Sequence, residues 1–248
     1  MRNFNRLVLN EWLKISKKRT FLVAYLLVIL LPLLIGYIRH SVSGDMFKST
    51  LDFSKEMLLP NGLGQALTII AIIGTAGVVA KEHSQGTIKF LLIRARSRTT
   101  ILTSKYVAVL LYALSLTLVV IAATYASGAL WFGVSGGEAG ITDILQSVMY
   151  SFVYATMYLT LAFMIGILTT STGVTIGITM FAITIDNIVI HNDFYKYFLF
   201  PNMSLAAYEN GGAPMPGMTL TFSIVMLSLY MLFFLLVGFT VFRRRDVA

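Results

Sequence analysis

The sequence predicts an all-α membrane protein, and three observations carry that reading. Apolar residues make up 57% of the 248 and charged residues 12%, with a mean hydropathy of +0.80, whereas a soluble domain is about a quarter charged. The apolar residues gather into uncharged runs close to the roughly 20 residues that cross a bilayer's hydrocarbon as a helix. The cations flank those runs unevenly, as oriented insertion requires. A net charge of +8 could otherwise suggest a nucleic-acid partner. Here the cations sit beside apolar spans rather than on one soluble basic face, so the partner they imply is the lipid bilayer and not nucleic acid.

The first element is an interfacial amphipathic helix over residues 3–19. Phe4, Leu7, Val8, Trp12 and Ile15 recur at helical spacing, with Arg2, Arg6, Lys14, Lys17, Lys18 and Arg19 around them. Such a segment lies in the membrane surface with Trp12 at headgroup depth and its cations toward lipid phosphates. It does not read as a cleavable signal peptide, because about twenty mostly polar or basic residues precede the first apolar run.

Six transmembrane helices follow: Phe21–Ile38, Leu63–Ala80, Tyr106–Leu130, Ile144–Leu168, Val174–Ile190 and Met218–Phe242. Pro32 in the first is tolerable if a neighbouring helix covers the carbonyl that it frees. The fourth and fifth are separated by the polar break Thr169–Gly173, because the 42 uncharged residues from Ile144 to Ile185 are too many for one crossing. Between the first two spans, Phe47, Leu51, Phe53, Met57 and Leu58 suggest a short surface helix. Between the last two, the aromatic run Tyr195, Tyr197, Phe198, Phe200 leading to Pro201 suggests a re-entrant segment within 191–217.

Orientation follows from the cations. The N-terminus, residues 81–105 and the C-terminal tail hold fifteen of the nineteen Lys and Arg; Arg39, Lys48, Lys55 and Lys196 are the remaining four. The asymmetry places both termini and the 81–105 loop in the cytoplasm of a multi-pass protein. The sequence has no cysteine, which fits a bacterial inner membrane and excludes disulfides, thiolate metal ligands and a cysteine nucleophile.

Chemistry of its own is sparse. There is no phosphate loop of the form G-x-x-x-x-G-K-[S/T], and His40, His83 and His191 are scattered, so neither a nucleotide site nor a metal site is expected. Gly133–Gly137 reads GVSGG and matches G-x-S-x-G, but that motif needs a strand-to-helix elbow with His and acid partners; a chance match is expected. Asp186 is the one ionisable residue within a span. On a helix Thr172, Thr175, Thr179 and Asp186 fall within about 60° of one another, while Gly173 and Gly177 on a neighbouring face permit close helix approach. That face turns either toward a cavity or second copy, or, at Asp186, into headgroups and water at the end of the span.

The densest charge in the middle of the chain lies in Glu82–Lys105, EHSQGTIKFLLIRARSRTTILTSK, where the six cations Lys81, Lys89, Arg94, Arg96, Arg98 and Lys105 in and beside it meet only Glu82. Ile88 and Phe90–Ile93 suggest a short interfacial helix inside it. The charges serve either to fix orientation against lipid phosphates or to present the loop to a partner. Glu82, Gly86-Thr87, Leu91-Leu92, Arg94, Ser97-Arg98, Ile101 and Lys105 resemble the first cytoplasmic loop of ABC-2 type transporter permeases. The family often has Pro before the Ser-Arg pair, where this chain has Ala95-Arg96. KYFLFPNMSLAAY, residues 196–208, is similar to the segment between the last two spans of that family.

The resemblance implies a single transmembrane permease domain over 1–248 whose coupling helix docks on a separate ABC ATPase subunit. Glu82, Gly86, Thr87, Lys89, Phe90, Leu91, Arg94 and Arg98 would meet that subunit, which holds ATP and Mg; this chain would have no cofactor and would not itself be an enzyme. Permeases of the family act in pairs, as a homodimer or with a related chain. The pathway would run between the second and fifth spans, past Gln65, Thr68, Thr75, Thr175, Thr179 and Asp186. The apolar, Met- and aromatic-rich composition favours export of a hydrophobic or amphipathic peptide, antibiotic or lipid. The rival, an ion-coupled secondary transporter, needs inverted repeats and several buried charges, of which only Asp186 qualifies.

Overall fold

Backbone carried through hydrocarbon must satisfy its own N–H and C=O groups, which leaves helices as the solution for uncharged runs of this length. The computed structural model describes residues 2–42, 47–78, 80, 97–186 and 192–244, and among these there is no strand. In order they form α1 (Arg2–Ser16), α2 (Arg19–Val42), α3 (Thr50–Leu58), a π-helical turn Pro60–Gly64, α4 (Gln65–Thr75), α5 (Arg98–Trp131), α6 (Ile141–Thr169) and α7 (Thr172–Asp186). Two 3-10 turns, Asp193–Tyr197 and Leu205–Gly211, flank the short α8 (Leu199–Met203), and α9 (Leu220–Arg244) ends the described chain.

This is a helical membrane protein. Among the described residues, helices α2, α5, α6 and α9 are long and apolar enough to cross a membrane, and α3 with the π turn and α4 makes a fifth candidate, bent by 52°. At 15 residues, α7 rises only about 22 Å, short of the roughly 30 Å hydrocarbon; the last residues of the expected fifth span, 187–190, lie outside the described residues. The amphipathic helix stops at Ser16 rather than residue 19, and α2 restarts at Arg19. The helix expected from Tyr106 begins at Arg98. Ser97 caps it by accepting the Thr100 N–H at 3.2 Å, so eight polar-rich residues expected in the loop are helical.

The chain divides into two compact units. The first combines residues 1–17, 72–111 and 156–248. Tyr106 of α5 meets α6 through a 2.8 Å bond between its hydroxyl and Thr160 Oγ1, with its ring 5.2 Å from that of Phe163. Segment 193–211 folds onto α9: Tyr230 Oη donates to the Tyr197 carbonyl at 2.9 Å, and Tyr208 and Ser223 share a 2.7 Å hydroxyl bond. Asn202, fully buried, donates to the carbonyls of Lys196 and Phe198 and so ties α8 to the turn before it.

The second unit combines residues 18–71 and 112–155. Ser127 of α5 donates to the Pro32 carbonyl at 2.8 Å, covering the proline's own carbonyl rather than that of Val28, which loses its i+4 donor. The α3–α4 bend has a local cause. Leu59 is extended, with φ −65° and ψ 156°, as the residue before a proline prefers, and Pro60 opens the next turn, where its missing N–H costs nothing. Ser151 of α6 donates to the Leu58 carbonyl at the break. Gly62 lies so close to α3 that a Cβ there would stand 2.6 Å from the Glu56 carbonyl oxygen.

The Gly-rich stretch that matches G-x-S-x-G is a loop docked on the start of α3. Gly133 O accepts the Thr50 N–H at 2.8 Å and the Thr50 hydroxyl at 2.6 Å. Asp52 Oδ1 accepts the N–H groups of Glu138 and Ala139 at 3.2 and 2.9 Å. Ion pairs Arg39–Glu56, Lys48–Glu138 and Lys55–Asp143, at 3.8, 3.4 and 3.6 Å, join α2, α3, the loop and α6. Three of the four cations set apart by the charge count thus belong to this network.

Candidate functional site: the junction around Lys105

The N-terminal amphipathic helix turns one face inward, where Glu11 and Ile15 are buried, and leaves Leu9 and Leu13 exposed. Glu11 is the only acid before Asp45. Its Oε2 lies 2.8 Å from Nζ of Lys105, two turns into α5, and its Oε1 lies 2.7 Å from Nζ of Lys14. Lys105 is 0% exposed and the Glu11 side chain 9%. The same ammonium reaches the Val78 carbonyl at 3.5 Å. Burying a lysine is costly unless it is paired and bonded, and here it meets a carboxylate and a carbonyl together. One cation therefore links α1, the chain that enters segment 81–96 and the helix that leaves it.

Arg98 opens the same helix. Its Nη1 donates to the carbonyl of Arg243 at 3.0 Å, in the last turn of α9, where orphan carbonyls and the negative end of the helix dipole favour a cation. The other residues expected to contact an ATPase (Glu82, Gly86, Thr87, Lys89, Phe90, Leu91 and Arg94) lie outside the described residues.

The residues expected along a pathway divide between the units. Gln65 and Thr68 belong to the second, where Thr68 is buried and donates to Gly64 O at 2.8 Å. Thr75, Thr175 and Thr179 belong to the first and are all buried. Thr75 lines a small void with Val109, Phe163 and Gly166; Thr175 Oγ1 stands 3.5 Å from where a Cβ on Gly166 would be. The structure thus brings Thr75 and Thr175 to one glycine of α6. Thr175 and Thr179 each donate to the carbonyl four residues earlier at 2.7 Å, so their donors are spent within their own stretch of chain. By contrast, no described atom apart from α7's own backbone lies within 4 Å of a Cβ built on Gly173 or Gly177, so that glycine face meets no neighbour among the described residues.

Asp186 ends α7 half-buried. Burial pushes the phenol of Tyr195 up, and the Asp186 carboxylate adds to it in the same direction. Among the described residues no three His, Asp or Glu side chains gather as a metal site would need. Glu11 is the site residue that sequence reasoning passed over. Its signal was available: a lone acid on a cationic helix needs a reason to be there.

Among known proteins, the family described as "Protein of unknown function (DUF2705)" matches residues 12–248. The chain is 35% identical over 201 residues to "Uncharacterized protein YhcI" of Bacillus subtilis (strain 168), covering 73% of this chain and 64% of that one. It is 28% identical over 202 residues to "Uncharacterized membrane protein YdbK" of the same organism, covering 75% and 79%. The match thus spans less than two thirds of the first relative's length. Because the family match runs from Trp12 to the last residue, it takes in most of both units and only the end of the amphipathic helix, from the residue after Glu11, and the chain belongs to the DUF2705 family.

Proposed function

We propose that this chain is the membrane-spanning subunit of an ATP-driven exporter, working with a separate phosphate-loop ATPase and a second permease copy. It would cross the bacterial cell membrane six times, with both termini in the cytoplasm, and move a hydrophobic or amphipathic peptide, antibiotic or lipid outward. The observation that carries the reading is the junction. An amphipathic helix is bonded through Glu11 and Lys105 to both flanks of the basic segment 81–96, whose residues resemble the coupling loop of ABC-2 permeases. A chain that only needed positive charge for orientation has no use for a buried bond between that loop's exit and α1. The missing phosphate loop in the sequence fits a subunit that takes its energy from a partner.

The test is co-purification and coupled hydrolysis. The chain is produced with a candidate phosphate-loop ATPase from the same cell, a neighbouring gene's product first, and screened for compounds that stimulate ATP hydrolysis. Glu82→Arg and Gly86→Phe are expected to release the ATPase or abolish stimulation while the chain still inserts. Full complex formation and full stimulation in both variants would reduce the loop to an orientation signal.

A further inference from the structure

Lys105 occupies an unusual position for a cation next to a long apolar helix. Residues 106–137 carry no charge at all, and a lysine at the mouth of such a run ordinarily extends to headgroups. Lys105 instead points inward, is 0% exposed, and ends 2.8 Å from Glu11. Both Glu11 oxygens are occupied, one by Lys105 and one by Lys14. A buried pair is a poor means of adding stability, since apolar residues of the same volume serve as well or better. What it gives is a fixed register, because the two charges are satisfied in one arrangement and heavily penalised in any other.

We propose that Glu11 and Lys105 are positioning residues which lock α1 to both flanks of segment 81–96, so that a displacement of that segment is carried to the amphipathic helix. Two features support a lock rather than a simple anchor. Lys105 bonds the entry flank as well, through Val78 O, so the flanks cannot part without breaking its coordination. Ile15, one turn beyond Glu11, is 2% exposed and gives α1 an apolar contact of its own, so the pair is not needed merely to hold the helix down. The proposal rests on the exporter reading only for what displaces the segment.

The absence of cysteine allows a direct experiment. The full chain carrying Ile15→Cys is inserted in membranes and its reaction with a soluble maleimide is followed. Glu11→Gln and Lys105→Met are each expected to raise the rate about fivefold or more at equal inserted protein, because the first leaves the buried ammonium only the Val78 carbonyl and the second leaves Glu11 only the half-exposed Lys14, which can follow it toward water. Wild-type rates in both Glu11→Gln and Lys105→Met would overturn the lock. If a variant fails to accumulate, Glu11→Asp decides: it keeps the charge but shortens the reach, so faster labelling supports the lock and an unchanged rate sinks it. A second arm adds the ATPase with ATP and vanadate, which should change labelling at position 15 in the parent but not in Glu11→Gln. No ATP response in the parent would count against the exporter reading while leaving the first arm's outcome for the lock intact. An equal ATP response in the parent and in Glu11→Gln would overturn the transmission role.

Discussion

Gly137 lies against the start of α3 so closely that a Cβ would fall into the Ser49 hydroxyl and the Asp52 carboxylate. Those two side chains cap α3 and hold the loop, Ser49 by accepting the Asp52 N–H and Asp52 by accepting two loop amides. Gly137→Ala is therefore expected to cost about 1–3 kcal/mol, in the range of forced overpacking. Gly173→Ala, inside α7 with no described neighbour within 4 Å, is expected to be neutral or to stabilise by up to about 1 kcal/mol through helix propensity. Thermal unfolding of both variants in detergent separates the cases; equal effects would contradict the docked loop. The contrast shows what was legible residue by residue. Spacing at 100° per residue put Thr175 and Thr179 on one face, and both are buried on it. It could not say which neighbour would meet the glycines beside them, because periodicity fixes a direction around a helix and not what stands there. Asp52 was invisible because its amide partners lie 86 and 87 residues away.

Helices α5 and α6 show why hydropathy locates a crossing better than it locates a helix. The eight residues Arg98–Lys105 are too polar to count as span, yet nothing in them stops a helix, and Ser97 supplies the start. At α6 the beginning was nearly right because the stop signals are chemical. The Gly140 N–H bonds Asp143 Oδ2 at 2.7 Å, the return half of a capping box. With 29 residues, α6 rises about 43 Å, more than the roughly 30 Å hydrocarbon, and its first turn, with Asp143, precedes the uncharged run that begins at Ile144. There the Gly140 bond, and then the nearby Lys55, hold the Asp143 carboxyl below the ordinary carboxylate range. The sign follows: this contribution is complete above the unfolded value of about 4 and is lost as pH falls through the lower folded value. Asp143→Asn should therefore melt below the parent near neutral pH, with the gap closing as pH falls below about 4. A gap independent of pH in that range would mean that the cap is not electrostatic. The α3–α4 bend was only half legible. Pro60 and the uncharged run from Met57 were in view, but the Ser151 bond that covers Leu58 O comes from a helix far along the chain.

Across the whole molecule the charge count makes one commitment that the fold leaves open. Fifteen of nineteen cations on one side predict that cysteines placed at Lys48 and Ser135 react with an impermeant maleimide in intact cells, whereas cysteines at Gln85 and at Ala248 react only after the membrane is opened. Reaction at position 85 in intact cells would invert the topology. The general class, a helical membrane protein, was plain from composition alone, because hydrocarbon imposes one rule on every residue that enters it. The junction was not, because burying Lys105 depends on where α1 comes to lie.

Helix α5 has a further consequence through its length. Its 34 residues make a rod about 51 Å long, and membrane helices tilt by no more than about 40°. Even at that angle the rod is about 9 Å too tall for a 30 Å hydrocarbon, which leaves some eight residues outside, the length of Arg98–Lys105. Leaning further cannot hide them, so α5 cannot fully absorb a change in bilayer thickness by tilting. A thicker membrane is expected to draw the Lys105 end toward the acyl chains, where an ammonium already matched to Glu11 meets hydrocarbon at less cost than one that relies on water.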